Sequence, residues 1–94
     1  MTPFPFSPGD LLKPNPSAFF GCFHFLDLGC VGKRVDGYVS RTYPLDSLFL
    51  VVDCFFVSNP DFGPETLLAA KILCPDGRIS IIVPSPSSLN KVST

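Results

Sequence analysis

The residues of this sequence best suited to chemistry are a cysteine and a histidine, Cys22 and His24, in the segment GCFHFLD. On a β-strand, residues two apart point to the same face, so the thiol and the imidazole could touch. The pair could then act as nucleophile and base, and His24 would have to be the base because it is the only histidine. A catalytic thiol needs an accessible, electropositive setting, and the neighbouring Phe23 and Phe25 indicate the opposite. We therefore interpret His24 as a structural residue and predict that the protein is not an enzyme.

The cysteines could instead bind a metal or pair as disulfides; they are Cys22, Cys30, Cys54 and Cys74. Thiolates together with His24 are ligand types that zinc prefers, but the cysteines lie 8, 24 and 20 residues apart and form no CxxC pair. The N-terminal stretch MTPFPFSPGD lacks the basic start and the continuous apolar core of a secretory leader. We therefore expect thiols that serve as small core residues in a reducing compartment, and no metal or other cofactor.

The aspartates do not suggest an acid–base pair. Most stand beside Gly or Pro, where their side chains cap turns, and Asp27 precedes a predicted turn at Leu28-Gly29. Asp53 is the exception, because it interrupts the apolar run LFLVVDCFFV. Either its face of the strand is exposed at this point, or its carboxylate meets a partner such as Arg41 or Arg78 on a neighbouring strand. We interpret Asp53 as a member of a cross-strand or intersubunit pair and not as an active-site acid.

The composition is apolar and poor in charge. Hydrophobic residues make up 46% of the 94 residues and charged residues 16%, well below the usual share. The net charge is −1 and basic residues are scattered, which predicts no binding to nucleic acid. The longest apolar run is about half the length needed to span a bilayer, which predicts no membrane partner. We expect a small domain with so little polar cover to hide part of its surface against other protein subunits.

Eleven prolines and seven glycines divide the chain into short segments, which favours strands over helices. Pro75-Asp76-Gly77 lies between two apolar runs and predicts a hairpin, so we interpret residues 65–73 as a strand, although ETLLAAKIL could also begin a helix. Residues 14–35 are interpreted as a long loop with a strand near Phe19–Leu26. The other predicted strands are Asp10–Lys13, residues 35–43, 48–57 and 78–83, and a last strand that ends at Val92 after a turn at Ser87–Leu89. This pattern predicts an all-β fold, a small barrel or sandwich.

The first nine residues alternate Pro with Phe and predict an extended N-terminal arm, because proline cannot donate a hydrogen bond to a sheet. Phe4 and Phe6 would be poorly solvated in water. We therefore expect the arm either to lie across a neighbouring subunit or to fold back over its own domain, which covers residues 10–94.

Three short motifs follow one another along the chain: Pro8-Gly9-Asp10-Leu11, Asp76-Gly77-Arg78 and Pro86-Ser87-Ser88-Leu89. In this order the sequence resembles small SH3-like β-barrel proteins encoded by tailed bacteriophages. The resemblance implies a partly open SH3-like β-barrel of five to six short antiparallel strands, a scaffold without an active site. Residues 14–35 depart from the pattern in their length and Phe content.

Strand 48–57 is apolar on both faces, unlike a strand that is half in water. A single small barrel covers one face, so we expect the other to contact another subunit, or the arm and the loop. The predicted interface residues are Phe4, Phe6, Phe49, Val51, Phe55 and Val57.

These observations together predict a non-enzymatic structural or assembly protein, a small bacteriophage virion component such as a connector, tail or head-decoration protein. It would be made in the host cytoplasm and act through protein–protein contacts, as a homo-oligomer or in a larger viral assembly, with no small-molecule substrate. The alternative is a soluble SH3-like adaptor that binds a peptide or a host protein. A small zinc or thiol enzyme is a third class.

Overall fold

The protein is all-β in a computed structural model that describes residues 6–58, 66–84 and 87–92. Within these ranges there are seven strands and one short 3-10 turn at Pro16–Ala18. The strands are β1 (Leu11–Pro14), β2 (Cys22–Val31), β3 (Arg34–Pro44), β4 (Phe49–Ser58), β5 (Thr66–Leu73), β6 (Ile79–Ile82) and β7 (Leu89–Lys91). The all-β prediction is confirmed, and the described strands outnumber the five to six expected. The same residues contain no helix long and apolar enough to cross a bilayer.

Strand β4 is the centre of one open sheet. Its first residues pair antiparallel with β1, and β5 pairs antiparallel with it from Leu50 to Ser58. Its last residue, Ser58, forms a parallel bridge with Arg34 of β3, where only antiparallel pairing was expected. β7 extends the sheet beyond β1, β2 extends it beyond β3, and β6 pairs only with β5. The described sheet therefore branches at β4 and has three terminal strands, β2, β7 and β6.

The β2–β3 hairpin replaces most of the loop predicted for residues 14–35. β2 is ten residues long and pairs with β3 from Cys22 to Val31. The turn is the dipeptide Gly32-Lys33, and Gly32 has φ +63°, a conformation that favours glycine at the first position of a type II′ hairpin turn. The strand predicted near Phe19–Leu26 overlaps β2, but the loop predicted after it was wrong. β2 continues to Val31 because it pairs with a strand that follows this turn.

The β5–β6 hairpin forms around Pro75-Asp76-Gly77, as the sequence predicts. Residues Thr66–Leu73 are a strand, and the helical alternative is not adopted. Gly77 has φ +85° and donates its N–H to the Cys74 carbonyl at 3.0 Å. The Asp76 carboxylate accepts the N–H of Arg78 at 3.2 Å. The turn is therefore specified by its own residues.

Two apolar clusters lie on opposite faces of β4, β5 and β6. Consecutive residues on a strand point to opposite faces, so two consecutive apolar residues can belong to different clusters. Cys54 packs on the larger cluster and Phe55 on the smaller one; Ala70 and Ala69 divide in the same way. The larger cluster surrounds Phe49 and receives Phe23, Phe25 and Tyr43 from the β2–β3 hairpin; the smaller one receives Leu28, Cys30 and Val35 from the same hairpin. One hairpin thus covers apolar side chains on both faces.

A bulge in β4 distributes its apolar residues between these two clusters. Val51 pairs with Ile72 and Asp53 with Lys71, so Val52 has no partner in β5. Because of this extra residue, the side chains after the bulge are displaced by one step from simple alternation. The sequence analysis put positions 49, 51, 55 and 57 on one face, but 49 and 51 belong to the larger cluster and 55 and 57 to the smaller one.

The described part of the N-terminal arm folds back on its own domain. Phe6 is only 5% exposed and belongs to the larger cluster. After it, Gly9 donates its N–H to the Val51 carbonyl at 2.8 Å, and Val51 donates to the Asp10 carbonyl at 2.9 Å. Of the two predicted arrangements of the arm, Phe6 therefore adopts the intramolecular one. Phe4 lies outside the described residues.

Candidate binding groove at the open seam

The seam between β2 and β6 is joined by a carboxylate instead of a backbone ladder. Asp27 of β2 accepts the N–H of Ile81 at Oδ1, at 3.1 Å, and the Ser80 hydroxyl at Oδ2, also at 3.1 Å. Arg41 of β3 donates its Nε–H to Oδ2 at 3.3 Å. The Asp27 side chain is 15% exposed, so this group of bonds is largely shielded from water. The prediction that Asp27 caps a turn was wrong, because it lies within β2.

Asp53, in contrast, is exposed and has no arginine partner in this structure. Its Oδ1 accepts the N–H of the next residue, Cys54, at 2.9 Å. Arg41 is bound to Asp27, and Arg78 lies 3.9 Å from Asp76. Of the two alternatives from the sequence, the exposed carboxylate is the one observed.

An apolar groove of about 290 Å³ lies along the seam. We call it the seam groove, and it is lined by Phe19, Phe23, His24, Phe25, Leu26, Leu28, Val35, Leu67, Ile82, Val83, Ser88 and Leu89. None of these lining residues is an acid, a lysine or an arginine. The groove is therefore suited to an apolar segment of a partner more than to a charged ligand.

The wall of the groove is built on packed aromatic rings. The Phe49 ring lies edge-on to the rings of Phe23, Phe25 and Tyr43, with centroid distances of 5.5, 6.1 and 5.4 Å. Such edge-to-face contacts fix ring orientation as well as burying area. The groove wall is consequently continuous with the larger cluster.

Tyr43 connects this aromatic group to the β5–β6 turn. Its hydroxyl donates to Oδ1 of Asp76 at 3.0 Å. Burial raises the pKa of Tyr43 well above its ordinary value of 10.0, and hydrogen bonds to Cys74 and Asp76 raise it further. The pKa of Asp76 is lowered: its desolvation acts upward, but the Arg78 N–H and the Tyr43 hydroxyl outweigh it.

Exposed apolar side chains surround the hairpin beside the groove. Phe20, just before β2, is fully exposed. Leu26, Val31, Tyr38 and Val39 are each at least half exposed. Sequence reasoning missed these residues, although the adjacent Tyr38 and Val39 were a usable signal, since neighbouring strand residues cannot both face one core.

The residues predicted to form the interface are mostly inaccessible in this structure. Four of them are buried, namely Phe6, Phe49, Val51 and Val57, and Phe55 is half-buried. The exposure expected for these β4 residues is therefore not found, because they are divided between the two apolar clusters. The exposed apolar residues of β4 are Val52 and Phe56. A role in partner contact for the six predicted residues stays a prediction.

The four cysteines occupy different environments, and no disulfide joins them in the structure. Cys74 is buried, and its Sγ lies 3.6 Å from the Ser80 hydroxyl. Burial raises the pKa of Cys30, with a smaller effect from Asp27. Burial likewise raises the pKa of Cys54, reinforced by Asp53 and Asp10. Among the described residues, no three potential ligands are grouped as a metal ion would require.

Comparison with known proteins identifies no relative. No family model matches the chain, and neither the curated proteins nor the solved structures include a significant match.

Proposed function

We propose that the protein is a non-enzymatic assembly subunit that acts through protein–protein contacts at the seam groove and the adjoining β2–β3 hairpin. The observation that carries this proposal is the coincidence of an uncharged apolar groove with exposed apolar side chains on the same hairpin. Leu26 belongs to both sets, since it lines the groove and is 50% exposed. Exposed apolar residues beside an apolar groove are typical of a surface that binds another protein.

The open sheet supports the same proposal. Strands β2 and β6 each have one edge without a ladder partner among the described residues. An unpaired strand edge can accept an extended segment of another chain, with backbone hydrogen bonds supplying affinity and the groove supplying selectivity. The partner we propose is therefore an extended, apolar segment of a neighbouring subunit.

The finer assignment is a small SH3-like bacteriophage virion component made in the host cytoplasm. It is supported by the sequence resemblance carried by Pro8-Gly9-Asp10-Leu11, Asp76-Gly77-Arg78 and Pro86-Ser87-Ser88-Leu89. A small all-β domain with little charge is compatible with this role, but the fold class alone does not specify it.

A soluble adaptor is the second candidate, and the concave shape of the seam groove favours it. A groove of about 290 Å³ can enclose only a few side chains, which is the scale of a short peptide motif. An adaptor would be monomeric by itself and would bind such a peptide with the same residues.

The test is the absolute mass of the protein in solution, measured by light scattering across a concentration series. We expect association that rises with concentration in the wild type and is lost in Leu26→Asp, because a charge in the groove opposes apolar contact. The matched control is Leu48→Asp, since Leu48 is 47% exposed but does not line the groove. A wild-type monomer at every concentration would contradict self-assembly and favour the adaptor. Equal association in both variants would remove the groove from the proposal.

A further inference from the structure

Cys22, His24 and Thr42 form a connected trio on the β2–β3 hairpin, and His24 also lines the seam groove. The Cys22 Sγ lies 3.1 Å from Nε2 of His24, and Nδ1 of His24 lies 3.2 Å from Oγ1 of Thr42. His24 and Thr42 are directly opposite each other in the register of β2 and β3. The arrangement places a nucleophile beside a base and a third group beside that base, which is the geometric signature of an activated nucleophile.

The trio is accessible, contrary to the expectation from its phenylalanine neighbours. Phe23 and Phe25 point to the other face of β2 and pack in the larger cluster, with Phe23 only 2% exposed. His24 is exposed and Cys22 is half-buried. The expectation from the sequence that the phenylalanines shield Cys22 and His24 therefore does not hold in the folded protein.

The proton positions that this geometry requires are mutually consistent. For Nε2 to accept the thiol proton, Nδ1 must carry a hydrogen and donate it to the Thr42 hydroxyl oxygen. The residues of β3 opposite Cys22, His24 and Leu26 are Pro44, Thr42 and Ser40, which are all uncharged, and Tyr38 follows on this face opposite Leu28. The imidazole is thus the titratable group that faces the thiol from these paired strands.

We propose that Cys22 is a site of covalent modification by thiol–disulfide exchange, with His24 as its base and Thr42 as a positioning residue. His24 takes the thiol proton, and the Cys22 thiolate attacks one sulfur of a disulfide. A new S–S bond forms to Cys22, the original S–S bond breaks, and the departing thiolate takes the proton from His24. The disulfide is the oxidant, so its reduction to a thiol balances the oxidation of Cys22.

The other three thiols provide an internal reference. Burial raises the pKa of both Cys30 and Cys54, with nearby aspartates adding to the effect, and both changes reduce the thiolate fraction. Cys74 is buried in the larger cluster. None of these three has a histidine partner, because the only histidine, His24, contacts Cys22 and Thr42.

The experiment measures mixed-disulfide formation with oxidised glutathione at each cysteine by site-resolved mass spectrometry. At about pH 7 we expect Cys22 of the folded wild type to react on the order of tenfold faster than Cys30 and Cys54. In His24→Gln the Cys22 rate should fall to within about twofold of those references, and in Thr42→Val it should fall part of the way. Circular dichroism checks that both variants are folded.

The pH dependence of the Cys22 reaction rate distinguishes activation by His24 from simple exposure of the thiol. The Cys22 rate should exceed that of His24→Gln near neutral pH, and the difference should disappear in strong alkali, where hydroxide removes the thiol proton without a neighbouring base. This wild-type profile also serves as a test if the variant does not fold, since Cys30 and Cys54 in the same molecule supply the unassisted profile. Equal rates at all accessible thiols, or a fast Cys22 that is unchanged in His24→Gln, would overturn the proposal. An unchanged rate in Thr42→Val would remove Thr42 from it.

Discussion

Strand β4 and the seam between β2 and β6 are held in place by different interactions. β4 is bonded to β1 and β5 through backbone ladders and to β3 by a bridge at its last residue. At the seam, the carboxylate of Asp27 performs the function of a ladder by accepting a backbone N–H and a hydroxyl from β6. Backbone ladders do not depend on side-chain identity, whereas the hydrogen bonds across the seam depend on the side chain of Asp27.

This difference indicates where the fold tolerates substitutions and where a partner could bind. Around β4 a substitution acts through packing, because the hydrogen bonds remain whatever the side chain. Along the seam a substitution of Asp27 removes hydrogen bonds as well, and only apolar packing still joins β2 to β6. The same lack of a ladder leaves strand edges and an apolar groove accessible, so the weaker region is also the candidate binding region.

The largest effect is expected at the centre of the β4 core. Phe49→Ala should lower the free energy of unfolding by about 3–5 kcal/mol, because it leaves a cavity among three aromatic rings. Phe56→Ala, on the same strand but 47% exposed, should cost less than about 1 kcal/mol. Urea unfolding of both variants measures the two values, and similar losses would contradict the position of Phe49 in the core.

A smaller but specific effect is expected at the seam. Asp27→Asn should lower the free energy of unfolding by about 1–3 kcal/mol. The reason is that asparagine has one acceptor oxygen, whereas the Ile81 N–H and the Ser80 hydroxyl bind different oxygens of Asp27. Hydrogen exchange at the Ile81 amide should become faster, as its acceptor is weakened. The control is Asp53→Asn, whose carboxylate is exposed and bonds only to the next residue, so its effect should stay within about 0.5 kcal/mol. If Ile81 exchange is unchanged in Asp27→Asn, the carboxylate does not close the seam.

The smallest effect is expected in alkali, at the contact between Tyr43 and the β5–β6 turn. The pKa of Tyr43 is raised by folding, so above its ordinary value of 10.0 the unfolded chain binds fewer protons than the native one. Stability should therefore fall as the pH rises from about 10, and it should fall less steeply in Tyr43→Phe. The raised pKa values of Cys30 and Cys54 act in the same direction in both proteins and cancel in the comparison. Urea midpoints measured from neutral pH to above pH 10 test this, and parallel curves would contradict it.

The sequence analysis predicted those parts of the fold that depend on residues close together in the chain. The turn at Pro75-Asp76-Gly77 and the strand before it follow from turn residues and apolar runs, and the structure has both. The length of β2 could not be predicted in the same way, because its ladder partner follows a turn that the sequence analysis did not recognise. Asp27 was assigned to a turn because Leu28-Gly29 follows it, whereas its bonds reach residues 53 and 54 positions away.

The candidate site was the least predictable part for a related reason. The seam groove combines residues from β2, β5, β6 and β7, whose approach depends on how the whole sheet curls. The trio of Cys22, His24 and Thr42 was partly predictable, since Cys22 and His24 were recognised as a same-face pair. Thr42 could be added only once the register of β2 against β3 was known.

The bulge at Val52 has a consequence for how the length of this chain can vary. Deleting one residue elsewhere in β4 would exchange the two faces for every residue beyond the deletion, so that cluster residues would point into water. Deleting Val52 instead would leave Val51 and Asp53 opposite Ile72 and Lys71, as they are now, in a regular and less twisted strand. Within β4, evolution or design can therefore shorten the chain at this position without turning buried side chains toward the solvent.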